Sequence, residues 1–296
     1  MPAKKITLNT RMLPQVEDLL HQFKFKAKKS LGQHFLVDEN VLESILSAAE
    51  LSYEDVIVEV GPGLGILTES LAKRVARVVA VELDSKLVRV LKSRLAYFPN
   101  IAIIPGDILK FTPEQLVGAS AAISTPAKGY KVVANLPYNI ASAVLRHFLE
   151  SLSKPSLMVV MVQKEVGEAI AATPGKMSRL SVSIQFYSKP SIITYVPAKS
   201  FYPQPKVDSV VLRLDVYPNP PLEISNIAGF FDIINCGFSS PRKQLRNSLA
   251  QSLGISPRQV SFLLENAGIE GKRRAETLSL EEWDKLWGVF APFRKN

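Results

Sequence analysis

Apolar positions fall along this chain in three rhythms. Continuous runs at Val56-Ile57-Val58-Glu59-Val60, Val78-Val79-Ala80-Val81, Ile101 to Ile104, Val132-Val133-Ala134 and Leu157 to Val162 have the length of strands, and the first reads as a buried one. Between them apolar residues recur at helical spacing, as in Ile66, Leu67, Leu71, Ala72 and Val75, and again from Val166 to Ala172. Strand and helix in alternation predict an open, mostly parallel α/β sheet. The third rhythm is strict alternation. Ile192 to Val196 and Val207 to Val216 read as closing strands, and the second alternates Val210, Leu212, Leu214 and Val216 as a half-exposed strand does.

The punctuation between these runs predicts the remaining elements. Asp38 is expected to cap a helix carrying Val41, Leu42, Ile45 and Leu46, and Thr112-Pro113-Glu114 to open another. Gly118 to Gly129, rich in Ala, Ser, Thr and Gly, reads as a loop. Beyond the linker Tyr217-Pro218-Asn219-Pro220-Pro221 only helical patterns remain. Their starts are expected at Ser240-Pro241, at Ser256-Pro257 and at the capping box Ser279-Leu280-Glu281-Glu282. The predicted organisation is a basic, partly flexible arm over 1–29, an α/β domain over 30–216, the linker 217–221 and a small all-helical domain over 222–296.

The chemistry gathers at the strand ends. The first run ends in Gly61-Pro62-Gly63-Leu64-Gly65, where glycine permits a tight turn and close approach of a ligand. The second ends in Glu82, 21 residues after Gly61, the offset at which a carboxylate accepts from the hydroxyls of a ribose. The third ends at Gly106-Asp107 and the fourth at Asn135-Leu136-Pro137-Tyr138. In the last, an amide oxygen and a backbone carbonyl of Leu136 or Pro137 can accept both N–H groups of a nucleobase amine, while the tyrosine ring stacks on the base. The same tetrapeptide also suits a plain turn. A dinucleotide fingerprint requires a third glycine where Ile66 stands, and Gly65 falls one place early. This favours a smaller adenosine ligand without a pyrophosphate, and S-adenosylmethionine fits.

These segments, with Gly32-Gln33-His34-Phe35-Leu36 and Phe201-Tyr202-Pro203-Gln204-Pro205-Lys206-Val207-Asp208-Ser209, resemble the motif series of the rRNA adenine N6,N6-dimethyltransferases, and most closely the small-subunit (KsgA-type) branch. The resemblance spans roughly residues 24 to 290. It implies a Rossmann-like class I S-adenosylmethionine-dependent methyltransferase sheet. It further implies dimethylation of two adjacent adenines in the 3′-terminal hairpin of 16S rRNA, within an immature small ribosomal subunit. Carried over position by position, Gln33, His34, Leu36, Gly61, Gly63, Glu82, Asp107, Ile108 and Asn135 would hold the cofactor. Asn135, Leu136, Pro137 and Tyr138 would handle the target base, with Phe201 over its other face unless it packs on the neighbouring prolines. Many relatives carry asparagine at the position of His34.

Composition bears on the partner. The net charge of +9 is not spread evenly. Residues 1–30 hold seven Lys/Arg against two acids, and residues 236–274 again seven against two. A basic excess at both ends suits a catalytic body clamped on a phosphate backbone. Lys28, Lys29, Arg242, Lys243, Arg246, Lys272, Arg273 and Arg274 are the expected RNA contacts, with Arg242, Lys243 and Arg246 on one helical face. Cys236 is the only cysteine and His21, His34 and His147 lack ligand spacing, so no metal is expected. The absence of a transmembrane-length apolar run or a signal-peptide core suggests a cytoplasmic chain, and a monomer is expected. The competing readings are a large-subunit rRNA adenine methyltransferase, which usually carries isoleucine at the position of Leu136, a DNA or protein amine methyltransferase, and an assembly factor whose binding outweighs its catalysis.

Overall fold

The computed structural model describes residues 4–5, 7–28, 31–118 and 129–291. The strands are β1 (Lys4–Lys5), β2 (Phe35–Leu36), β3 (Val56–Val60), β4 (Arg77–Glu82), β5 (Ile101–Pro105), β6 (Lys131–Asn135), β7 (Leu157–Gln163), β8 (Ser188–Val196), β9 (Phe201–Tyr202) and β10 (Ser209–Val216). The helices are α1 (Leu13–Gln22), α2 (Glu39–Ala48), α3 (Ile66–Ala72), α4 (Ser85–Arg94), α5 (Pro113–Gly118), α6 (Ala141–Leu149), α7 (Lys164–Ile170), α8 (Arg179–Tyr187), α9 (Ile227–Phe238), α10 (Leu245–Leu253), α11 (Pro257–Asn266) and α12 (Leu280–Phe290). Eight strands form one sheet in the order β1-β8-β10-β7-β6-β3-β4-β5, and β2 and β9 pair separately.

Strands β7, β6, β3, β4 and β5 run parallel, and β10 joins them antiparallel to β7. The chain therefore steps outward from β3 through β4 to β5, then returns to lay β6 on the other side of β3. That reversal opens a crevice beyond the carboxyl ends of β3 and β6, the usual ligand position in an open α/β sheet. All of Val56 to Val60 is buried, as expected of a strand covered on both faces. Helix α2 contributes Val41, Leu42, Ile45 and Leu46 to the core on one face, and Asp38 caps it by accepting from the Asn40 N–H. Thr112 accepts from the Gln115 N–H at the start of α5, also as expected.

Contacts divide the chain into two compact units. The first comprises the residues up to Gly167 together with Lys189–Pro218; the second comprises Glu168–Ser188 and Asn219 onward. The division at 218/219 falls inside the predicted linker 217–221, and the departure from the expected α/β domain lies earlier, where 168–188 groups with the C-terminal helices. The reason is aromatic. Phe186 of α8 packs its ring 5.4 Å from those of Phe230 and Phe231 on α9, and Tyr187 stacks on Phe231. No local pattern reveals a partner more than forty residues away.

Three further expectations need correction. Within the arm, α1 buries Val16 and Leu20 against Phe25, Leu64, Leu87 and Val90. Burial of each such aliphatic group stabilises by roughly 1.5–3 kcal/mol, so this stretch is part of the core. Strand β10 is not half-exposed: Val210, Val211, Leu212 and Leu214 are all buried, because the strand lies between β8 and β7. Ser240-Pro241 opens no helix. The chain turns there, Lys243 N–H donating to the Ser240 carbonyl, and α10 begins only at Leu245. Ser256 and Ser279 do cap α11 and α12, each through a capping box.

Candidate active site

The crevice is lined by the ends of four parallel strands and by the segment that carries β2. At the end of β3, Gly61 takes φ +65° and donates its N–H to the Val81 carbonyl, which locks the turn against β4. A Cβ on Gly61 would meet the Pro137 ring at 3.4 Å, so the glycine turn and the Asn-Leu-Pro-Tyr turn are immediate neighbours. Gly65 opens α3 at φ +80°, where an added Cβ would lie 2.7 Å from Leu91 of α4. Its role is helix-to-helix approach behind the loop, which explains why it stands outside the dinucleotide spacing.

The carboxylates are held in different ways. Glu82 is buried and accepts from the Asp84 N–H at 2.8 Å and the Gly63 N–H at 3.3 Å. Burial raises its pKa, and the two backbone donors oppose that rise. Asp107 turns one oxygen back to the Leu109 N–H, and Ile108 beside it is buried. Glu59, inside the apolar run of β3, lines the same crevice. It is fully buried, its Oε2 has no hydrogen-bond partner among the described residues, and burial pushes its pKa up to about 8. A single acid inside the apolar run Val56–Val60 was the signal that could have marked it.

The Asn135 turn presents two unspent acceptors. The Asn135 Nδ2 donates to the His34 carbonyl at 3.2 Å, which leaves its Oδ1 available. The Pro137 carbonyl accepts from the Ile140 N–H, and the Leu136 N–H is taken by the Met161 carbonyl. Among the described residues nothing donates to the Leu136 carbonyl, so of the two carbonyls in question it is the free one. Tyr138 is fixed at both ends of its side chain: its hydroxyl bonds Ser209 Oγ at 2.6 Å, and the His34 ring stacks on it at 5.8 Å. His34 in turn donates its Nδ1–H to the Pro203 carbonyl at 2.6 Å. The histidine is therefore a brace between three segments as well as a lining residue.

Other expected site residues behave differently. Leu36 lines the crevice. Gln33 does too, but its amide is spent on Asp84 and on the Lys28 N–H. Phe201 does not present its ring as a platform. Only 3% exposed, it packs into the core with Ile45, Val196 and Val211, because β9 pairs Phe201 opposite Leu36 on the core-facing side. Lys28 is engaged in an ion pair with the buried Asp84 at 2.9 Å, and Lys29 lies outside the described residues.

In the helical unit the two predicted basic groups come together. The Leu245 and Arg246 N–H groups donate to the Arg273 and Gly271 carbonyls. Arg242 and Lys243 sit in the turn before α10 rather than on its face, and only Arg246 is helical. Arg242, Lys272 and Arg274 are exposed, Lys243 donates to Gln251, and Arg274 lies 3.7 Å from Glu276. Arg273 is structural: it forks onto both oxygens of Glu282 and donates to the Thr277 carbonyl. Arg273→Met is therefore expected to lower the melting temperature, at a cost of about 1 kcal/mol. Thermal unfolding followed by circular dichroism checks it.

A cleft at the switch point of an open α/β sheet, with a buried acid at the end of β4 and an Asn-Leu-Pro-Tyr turn on its rim, is the arrangement of a Rossmann-like methyltransferase. The ribosomal RNA adenine dimethylase family model matches residues 24–285, and the chain belongs to that family. Ribosomal RNA small subunit methyltransferase A of Dehalococcoides mccartyi is 47% identical over 94% of each chain. Its counterpart from Bacillus mycoides is 40% identical over 92% of this chain and 94% of the other. Among solved structures, the 23S rRNA methyltransferase ErmE aligns with a TM-score of 0.68 at 27% identity, covering 87% of this chain and 99% of its own. No helix among the described residues is long and apolar enough to cross a membrane, and none of their His, Cys, Asp and Glu side chains cluster as a metal site.

Proposed function

We propose that this chain transfers methyl groups from S-adenosylmethionine to N6 of two adjacent adenines in the 3′-terminal hairpin of 16S rRNA, acting on an immature small ribosomal subunit. The observation that carries this reading is the pair of unspent acceptors, Asn135 Oδ1 and the Leu136 carbonyl, beside Gly61 at the switch point.

The crevice suits the cofactor. The Glu82 carboxylate, oriented by two backbone N–H groups, can accept from the ribose hydroxyls. Gly61 lets the backbone approach the amino-acid end, and Asp107 with Ile108 offers a polar contact and an apolar wall for an adenine. Buried Glu59 holds a proton at neutral pH while its Oε2 has no partner among the described residues, and a positively charged ligand beside it would favour the ionised carboxylate. When bound, S-adenosylmethionine supplies an electrophilic methyl group on a sulfonium.

The chain's own residues handle the acceptor. An adenine N6 carries two hydrogens and a lone pair delocalised into the ring. Accepting both N–H bonds, at Asn135 Oδ1 and the Leu136 carbonyl, holds the hydrogens aside and leaves the lone pair pointing out of the base plane. No strong base is required before transfer, because the proton leaves the nitrogen only once the new N–C bond has formed. Extruding the adenine costs a few kcal/mol. Stacking on Tyr138, already fixed by Ser209 and His34, returns roughly 1–3 kcal/mol. Arg242, Lys243, Arg246, Lys272 and Arg274 would contact phosphates, which position an RNA without reading its sequence.

The likeness to a 23S rRNA methyltransferase makes a large-subunit target the second reading. One experiment separates them. Labelled S-adenosylmethionine is supplied with undermethylated small subunits, mature large subunits, naked rRNA or DNA, and the product is mapped. Label at two adjacent small-subunit adenines is expected. Label only on large subunits or DNA overturns the proposal, and tight small-subunit binding without label would make the chain an assembly factor.

A further inference from the structure

Beside the crevice lies a second cleft, between the end of α1 and helix α4, lined by Phe23, Lys24, Phe25, Lys86, Arg89 and Val90. Three of these six side chains are cationic and none is acidic. Lys24, Lys86 and Arg89 are exposed. Among the described residues none of the three has a hydrogen-bond or ion-pair partner for its side chain. Like charges converging without a counter-charge repel one another, so this arrangement does not serve the stability of the fold. Helix α4 sharpens the point. It carries Lys86, Arg89, Lys92 and Arg94 and no acid, and Lys86 stands in its first turn, where a cation opposes the helix dipole.

The cleft is also built to a fixed shape. Lys24 is held at φ +47°, a left-handed conformation that costs a non-glycine residue roughly 1–2 kcal/mol. Its own N–H bonds the His21 carbonyl, and that of Phe25 bonds the Leu20 carbonyl. Phe25 is buried with its ring edge-on to Phe35 of β2 at 6.2 Å. Asp84 joins this cleft to the candidate active site: it caps α4 through the Lys86 N–H while binding Lys28 and Gln33. Glu82 on the crevice rim and Lys86 in the second cleft are four residues apart, at most roughly 14 Å along the chain.

We propose that this cleft is a docking site for the phosphate backbone of the RNA whose base enters the crevice, with Lys24, Lys86 and Arg89 as its contacts. The inference rests on the rRNA reading above and extends the RNA footprint onto the cofactor-binding unit itself, at a helix absent from the charge clusters at the two ends of the chain. Backbone phosphates held here would fix the strand close to the cofactor rim, leaving the helical unit to grip the RNA elsewhere.

The test uses the full-length protein, with binding to undermethylated small subunits measured by co-sedimentation without cofactor across a range of salt concentrations. Lys86→Glu/Arg89→Glu is expected to weaken binding by about 10-fold or more and to flatten the slope of log affinity against log salt by roughly one to two. Lys86→Arg/Arg89→Lys should bind like the parent. Cofactor affinity by calorimetry should not change in either variant. The melting temperature should stay the same in the conservative variant and stay the same or rise slightly in the charge-reversed one, because an acid in the first turn of α4 suits the helix dipole. Unchanged affinity and salt slope in the charge-reversed variant overturn the proposal. So does weakened binding of the conservative variant with a lowered melting temperature, which would make the residues structural. Failure of the parent itself to bind or methylate small subunits would instead sink the rRNA reading, so the two failures are distinct.

Discussion

Asn135→Ala is expected to lower the rate of methyl transfer by roughly 10²–10³-fold, the usual consequence of removing one preorganised polar group from a reacting centre. The cofactor should still bind with an affinity within about threefold of the parent, less than 1 kcal/mol, because Glu82, Asp107 and the Gly61 turn are untouched. The reasoning is local. Asn135 spends its Nδ2 on the His34 carbonyl, so its Oδ1 is the group left to meet the substrate amine. Asn135→Asp separates the two roles of this side chain. It keeps an acceptor oxygen but turns a second oxygen toward the His34 carbonyl, so an intermediate loss of rate is expected. Single-turnover transfer and calorimetric titration of the cofactor, run on both variants, give the split between chemistry and binding. Near-normal turnover of the alanine variant would remove Asn135 from the proposed mechanism.

Glu59→Gln should change the pH dependence of stability. The Glu59 pKa is raised by burial to about 8, well above its value in an unfolded chain. Between about pH 4.5 and about pH 8 the folded protein thus keeps a proton that the unfolded chain has lost, and linkage makes stability fall as pH rises through that window. A neutral glutamine of the same shape removes the titration. The variant should match the parent near pH 4 and exceed it increasingly toward pH 8, reaching a gain on the order of a few kcal/mol. Denaturant unfolding at a series of pH values checks both the sign and the window. A parallel pH profile for the two proteins would mean that Glu59 is ionised in the folded state. The Thr68 hydroxyl beside it, itself buried without a partner among the described residues, would then have to turn its proton to the carboxylate.

Much of the crevice's lining is legible in the sequence. Gly61, Glu82 and Asp107 each stand at the end of an apolar run, and a residue at the carboxyl end of a parallel strand faces the ligand side of the sheet whatever its neighbours. Asp38, Ser256 and Ser279 were likewise readable, since a cap depends on residues two or three places away. Where the reading departed from the fold, the missing information was long-range. The helix inside the basic arm is the exception: Leu13, Val16 and Leu20 stand at i, i+3 and i+7 with Pro14 in the first turn, a local pattern overshadowed by the charge of the arm. Phe201 reads as an aromatic platform until β9 pairs with β2 and turns the ring inward. Arg273 counts as one more surface cation until Glu282 arrives from the next helix.

The chain by itself determined which chemical groups stand at the strand ends: a glycine turn, two acids and an Asn-Leu-Pro-Tyr turn. These follow from residue type and local periodicity, which act within a few positions. Only the tertiary structure decided their order along the rim. In sequence Asn135 comes last, after Asp107; in the sheet β6 lies beside β3, so the order is Asn135, Gly61, Glu82, Asp107. That places the acceptor-holding turn against the glycine turn and away from Asp107, and leaves the Leu136 carbonyl rather than that of Pro137 free. The physical reason is that strand order is set by where each crossover returns to the sheet, a choice made by packing of the whole unit and written in no single segment.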